Sequence, residues 1–199
     1  MKQNSLSADP LDVLTNWKLF LAGDMPAFGK LMSQHFQILF HYGNKFSRDP
    51  EFVKDCIQDV FLNLWERRAY LASDVAVKPY LMASLRRHMH RTSKNFNLET
   101  AAYEQDAEFD ILFSVEQEFI ENEATMMMAQ RVKHFVDLLP ARQKEVVYLR
   151  FFQDLDRSQI AHIMDVSPQT VSNLLQIALK QLRKSWHLVS ALLGFFFWA

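Results

Sequence analysis

Apolar positions recur at helical spacing along much of the chain, most clearly in Phe52, Val53, Cys56, Ile57, Val60, Phe61 and Leu64, which advance by ones and threes. The intervening Lys54, Asp55, Gln58, Asp59, Asn63 and Glu66 give the same segment a polar back. Three short strings, Asp24-Met25-Pro26, Asp49-Pro50 and Ser167-Pro168, set a capping side chain just ahead of a proline, the chemistry of a helix start. Together these signals predict helices near residues 11–22, 24–47, 50–69, 77–95, 127–138, 141–152, 157–165 and 168–185, with a shorter apolar helix in the tail. No segment alternates with period two and no solenoid period is visible, so the fold class is all-α, with a domain boundary inside 96–125.

Composition supports that reading. The 199 residues are 49% apolar and include only 4 glycines and 6 prolines, too few turn formers for a strand-rich chain. A single cysteine, Cys56, excludes an intrachain disulfide and suits a reducing compartment. No signal-peptide run opens the sequence and no stretch reaches the length of a membrane span, so the expectation is a soluble, cytoplasmic protein.

The net charge of −1 conceals a strong asymmetry. Residues 1–95 carry 13 bases and 9 acids, and residues 126–199 carry 9 bases and 5 acids. Between them, residues 96–125 hold 9 acids and no base, from Glu99 to Glu123. Two basic lobes are joined by an acidic strap. The bases concentrate between Arg67 and Lys94, where seven (Arg67, Arg68, Lys78, Arg86, Arg87, Arg91, Lys94) face one acid, Asp74. Such a cluster suits a phosphate backbone.

Residues 155–183 have helix-turn-helix spacing. Ile160, Ala161, Ile163 and Met164 form the apolar side of a short helix, Asp165-Val166-Ser167 a tight turn, and Pro168 opens a second helix with Val171, Leu174, Leu175, Ala178 and Leu182 facing inward. Gln169, Ser172, Asn173, Gln176, Lys180 and Arg183 then share one outward stripe, joined at the turn by Ser167 and Thr170. Asn and Gln match adenine in the major groove, while Lys and Arg match phosphates. The plain alternative is a solvated helix face.

Three strings in this order carry a family resemblance over residues 11–185. Asp55-Cys56-Ile57-Gln58-Asp59-Val60-Phe61-Leu62-Asn63-Leu64-Trp65 resembles the polymerase-binding helix of extracytoplasmic-function sigma factors. Val77-Lys78-Pro79-Tyr80-Leu81 with Arg86-Arg87 resembles their promoter-melting segment, and Leu139-Pro140-Ala141-Arg142-Gln143-Lys144-Glu145-Val146-Val147 the start of their C-terminal domain. Tyr80, where many members have Trp, and Gln169-Thr170-Val171 are similar to the iron-citrate-regulator-like members common in Bacteroidetes.

The resemblance implies a division into residues 1–95 (polymerase binding, −10 element recognition and melting), an acidic linker 96–125, a −35 element helix-turn-helix domain 126–187 and an apolar tail 188–199. It implies core RNA polymerase, promoter DNA and an anti-sigma factor as partners, with no cofactor and no small-molecule substrate. Asp55, Gln58, Asp59, Asn63 and Trp65 are then candidate polymerase contacts. The seven bases with Tyr70, Ser73, Asp74 and Tyr80 are candidate −10 contacts, the loop 67–77 being where members capture a flipped base. Tyr80 is equally a core aromatic. The acidic linker is open to two readings, a nucleic-acid mimic in a basic polymerase channel or a solvated tether.

Two features depart from the family. Leu174, Ile177 and Leu179 stand where members often have bases, implying few phosphate contacts and weak −35 binding by the isolated C-terminal domain. The tail 188–199 is aromatic and apolar; closing the core is the simplest reading, with anti-sigma binding and self-association as alternatives.

Enzymatic classes find little support. There is no glycine-rich phosphate loop, no nucleophile elbow, and the seven histidines form no zinc-ligand pattern with the one cysteine. Two further classes remain: a helix-turn-helix regulator acting without polymerase, and a sigma-like interaction protein without promoter recognition. The 55–65 string distinguishes the first of these, which has no use for it.

Overall fold

The computed structural model describes residues 10–96, 109, 134 and 136–197. Among them are seven α-helices, one short 3-10 turn and no strand. The chain divides into two compact units, one holding residues 1–103 with His162–Met164 and the other the rest of 104–199. The nine acids of the predicted strap, and most of the helix expected near 127–138, lie outside the described residues.

In the N-terminal unit, α1 (Pro10–Leu21), α2 (Met25–Gly43), α3 (Pro50–Glu66) and α4 (Val77–Phe96) pack around one core. Trp17, Phe20, Leu31, Leu39, Tyr42, Val53, Ile57, Phe61, Leu81, Met82 and Leu85 are its fully or almost fully buried members. The capping chemistry operates as the local sequence predicts. Asp24 accepts from the Ala27 amide at 2.7 Å, and Asp49 from the amides of Glu51 and Phe52 at 3.0 and 3.2 Å. Gly23, at φ +93°, makes the reversal between α1 and α2, a conformation costly for any residue with a Cβ.

Two helices are shorter than their apolar pattern predicts. The second ends at Gly43 rather than 47, because the amides of Phe46 and Ser47 both turn back to the Gly43 carbonyl. Gly43 is also where α2 meets α3: a Cβ there would lie 2.5 Å from Val53 Cγ1. The third ends at Glu66 rather than 69, and the chain tightens into the 3-10 turn Arg68–Tyr70.

In the C-terminal unit, α5 (Ala141–Phe151), most of α6 (Arg157–Met164) and α7 (Pro168–Phe197) carry the buried Val146, Val147, Tyr148, Leu149, Ile160, Val171 and Ala178, with Leu155 buried between α5 and α6 in sequence. A capping box starts α6: Asp156 accepts from the Gln159 amide at 2.9 Å and Gln159 Oε1 from the Asp156 amide at 3.0 Å. Asp165, left-handed at φ 55°, ends it. Ser167 Oγ then accepts from the Thr170 amide at 3.1 Å as α7 begins.

The tail corrects one expectation. No separate helix follows residue 185; the backbone of α7 continues unbroken to Phe197. Nothing between Leu182 and Gly194 supplies a proline or a glycine-based stop, so the backbone has no local reason to turn. Among the described residues, no helix is long and apolar enough to cross a membrane.

Candidate nucleic-acid interface

The outward side of α3 carries Asp55, Gln58, Asp59 and Asn63, all exposed, while Val53, Cys56, Ile57, Val60, Phe61 and Leu64 are buried beneath. The spacing of the four polar residues puts them along one ridge. Asn63 Nδ2 donates to the Asp59 carbonyl at 2.7 Å, and Asp59 Oδ2 accepts from His88 Nε2 at 3.1 Å. Under the ridge, burial pushes the Cys56 thiol up to about 11, the nearby Asp59 and Asp55 adding to the effect. The thiol is thus protonated and hidden.

Trp65 sits differently from the other polymerase candidates. It is half-buried, with ring centroids 5.1 Å from Phe28 and 6.2 Å from Phe20. Arg68 covers its ring at 4.3 Å and donates through Nη1 to the Trp65 carbonyl at 2.8 Å. That guanidinium closes the end of α3, whereas its neighbour Arg67 is exposed.

The loop after α3 leaves Tyr70, Ser73 and Asp74 exposed. Tyr70 is 88% exposed, an unusual position for a large aromatic ring. The loop backbone is held from below, since Trp17 Nε1 donates to the Ala72 carbonyl at 3.0 Å. Tyr80, at the start of α4, is half-buried and meets Trp17 edge-on at 5.8 Å.

Along α4 the bases separate by depth. Arg87 and Arg91 are exposed and one turn apart, while Lys78 and Arg86 are half-buried. Lys78 lies near His35 of α2: burial holds the His35 imidazole below its ordinary pKa, the bond from Nδ1 to the Leu31 carbonyl at 2.9 Å opposes this, and the Lys78 charge reinforces it. The helix includes Lys94, whose side chain is outside the described residues.

On α7, Gln169, Asn173, Gln176, Lys180 and Arg183 are exposed on the predicted stripe, with Ser167 exposed at its start and Thr170 and Ser172 half-buried. Gln169 Nε2 donates to Asn173 Oδ1 at 3.0 Å, a bond that uses neither the Gln169 oxygen, an acceptor, nor the Asn173 amide nitrogen, a donor. Ser172 Oγ donates to the Pro168 carbonyl at 3.1 Å. Ile177 and Leu179 are 47% and 43% exposed and add apolar surface beside the stripe.

Two residues on these surfaces carried no site signal in the sequence. For His88 the reason is distance along the chain, since its partner Asp59 is 29 positions away. Arg157 opens α6 and points Nη1 at Ser172 Oγ across 3.4 Å, bringing a cation beside the stripe from a different helix.

Residues 136–184, which span the helix-turn-helix, match the family Sigma-70, region 4. The fold is similar to that of CnrH, solved in complex with the cytosolic domain of CnrY (17% identity, 90% of this chain and 98% of that one, TM-score 0.59). It is also similar to the sigma factor RpoE of Bartonella quintana, solved with the anti-sigma factor NepR (16% identity, 80% and 96% coverage, TM-score 0.56). No curated protein matches the chain in sequence. The helix-turn-helix unit is thus a sigma-70 region 4 domain, carried on a two-unit helical fold shared with sigma factors. The family match covers residues 136–184 alone, and the likeness to the solved structures is one of fold.

Proposed function

We propose that the chain works in the cytoplasm without catalytic activity, binding core RNA polymerase and directing promoter-specific initiation. Its two domains divide the task. Residues 1–95 dock through the α3 ridge of Asp55, Gln58, Asp59 and Asn63 and read and melt the −10 element with the 67–77 loop and the exposed face of α4. The domain 126–187 reads the −35 element through Gln169, Asn173 and Gln176, with Lys180 and Arg183 on phosphates. The acidic segment 96–125 links them. Trp65 and Arg68 support the surface from within, since each is largely occupied by the other.

The observation that carries this reading is the match of residues 136–184 to sigma-70 region 4, superimposed on a helix whose outward stripe is amide-rich. An anti-sigma factor is proposed as a third partner, because CnrH was solved with the cytosolic domain of CnrY and RpoE with the anti-sigma factor NepR. Placement in the iron-citrate-regulator-like subgroup rests on Tyr80 and Gln169-Thr170-Val171 alone.

Run-off transcription with purified core polymerase tests the proposal. Specific starts on a subset of genomic promoters are the expected result. Operator binding without core identifies a free-standing regulator instead. Core binding without initiation identifies an interaction protein, a reading that the exposed Ile177 and Leu179 on α7 favour.

A further inference from the structure

We propose that His88 is a positioning residue for Asp59 and so for the polymerase-docking ridge of α3; this rests on the docking role proposed above. Asp59 lies in the middle of that ridge, flanked by Asp55 and Gln58 on one side and Asn63 on the other. A lone exposed aspartate samples several rotamers, and docking must select one of them. Here one carboxylate oxygen is already engaged. Nε2 of His88 donates to Oδ2 at 3.1 Å, and since a carboxylate only accepts, that ring nitrogen carries the proton.

The geometry divides the aspartate between the two tasks. The His88 side chain is 18% exposed and held in the α3–α4 seam, whereas Asp59 is 55% exposed. The second carboxylate oxygen therefore remains available to a partner while the first is fixed. The backbone carbonyl of Asp59 is bound by Asn63 Nδ2 at 2.7 Å, so two ridge residues are held in mutual register. His88 belongs to α4, next to exposed Arg87 and one turn from exposed Arg91. The hydrogen bond thus ties the docking ridge to the helix proposed to face promoter DNA. A ridge prepared in this way loses less side-chain freedom on docking.

The test is a double-mutant cycle on affinity for core RNA polymerase, using the full-length chain and the variants Asp59→Ala, His88→Ala, His88→Gln and the double alanine. His88→Ala is expected to weaken core binding by a few-fold to about ten-fold, the range for one side chain left to be immobilised on binding. His88→Gln, which keeps a donor near the Nε2 position, is expected to restore most of that loss. In the Asp59→Ala background, His88→Ala is expected to have no further effect. A purely structural role gives the opposite pattern: the same His88→Ala penalty with or without Asp59, tracking a lowered melting temperature. That additive result overturns the proposal, as does unchanged affinity in His88→Ala when Asp59→Ala binds weakly. If Asp59→Ala itself binds core like the wild type, the docking role of the ridge falls, and the positioning role with it.

Discussion

Arg68 lies over the face of Trp65, its guanidinium carbon 4.3 Å from the ring centroid, and the same side chain donates to the Trp65 carbonyl at 2.8 Å. A cation–π contact and a hydrogen bond to a helix-end carbonyl coincide in one residue. Arg67, its neighbour, is exposed. The two arginines should therefore separate in experiment. Arg68→Ala is expected to destabilise the N-terminal domain by about 1–2 kcal/mol, from the lost cation–π contact and hydrogen bond. Arg67→Ala should leave stability within about 0.5 kcal/mol and lower the salt dependence of promoter binding by about one unit of slope. Urea unfolding and a salt titration of promoter affinity check the pair.

Tyr70 presents its ring to solvent on a loop whose backbone is anchored by the Trp17 indole. An exposed ring on a fixed support is suited to stack on an extruded base. Tyr70→Ala should not change stability by more than about 0.5 kcal/mol. Loss of stacking should weaken binding of single-stranded −10 DNA by about 1–3 kcal/mol. Tyr70→Phe, which keeps the ring, should bind nearly as wild type. Fluorescence titration of the holoenzyme with a non-template oligonucleotide distinguishes the variants.

Helix starts were legible because their cause is local: Asp24, Asp49 and Ser167 each cap a helix within three residues of their own position. The buried and polar sides of α3 were legible for the same reason, through a single period. What the sequence could not assign were relationships across elements. Nothing local distinguishes Arg67 from Arg68; the difference is made by where the Trp65 ring lies after α2 and α3 have packed through Phe28. Likewise the partnership of Asp59 with His88 exists only once α3 and α4 are side by side. At the end of α7 the composition changes but the structure does not, because no stop chemistry accompanies the change.

Gly43 shows how closely α2 and α3 approach. A methyl group at that position would meet Val53 Cγ1 at 2.5 Å, with Met89 and Leu85 filling the other directions at 3.5 and 3.6 Å. Gly43→Ala, although favourable for helix propensity, is expected to destabilise by about 1–3 kcal/mol through overpacking. Pairing it with Val53→Ala should recover part of that loss. A chemical-denaturation cycle over the four chains tests the coupling.

His35 predicts a pH dependence in the N-terminal domain. Its imidazole is held neutral by burial, below the ordinary value of 6.5. Between those two values the unfolded chain binds more protons than the folded one, so the contribution of this residue is present above pH 6.5 and is lost as pH falls below it. His35→Asn keeps a donor for the Leu31 carbonyl without titrating in this range. The stability advantage of the wild type over this variant should shrink as pH is lowered from about 7.5 to about 5.5. Urea titrations followed by NMR at the Trp17 indole report the domain directly. Parallel curves for the two proteins would remove His35 as the source.

Gln169 and Asn173 form a side-chain pair one helical turn apart, closed by a hydrogen bond of 3.0 Å. Each amide holds the other in orientation, so the pair offers a fixed acceptor and donor to a base edge rather than two independent amides. Replacing either by Ala should cost about 1–3 kcal/mol of discrimination at the −35 position it reads. The double variant should lose less than the sum, because the first substitution already frees the surviving partner. Salt dependence should remain unchanged, since neither residue neutralises a phosphate. Lys180→Ala and Arg183→Ala should behave in the reverse manner, lowering the salt slope by about one unit each while leaving base preference intact. Transcription by holoenzyme from a library of −35 variants at two salt concentrations measures both quantities together. A Gln169→Ala or Asn173→Ala variant that altered the salt slope and spared base preference would place the two amides away from the bases.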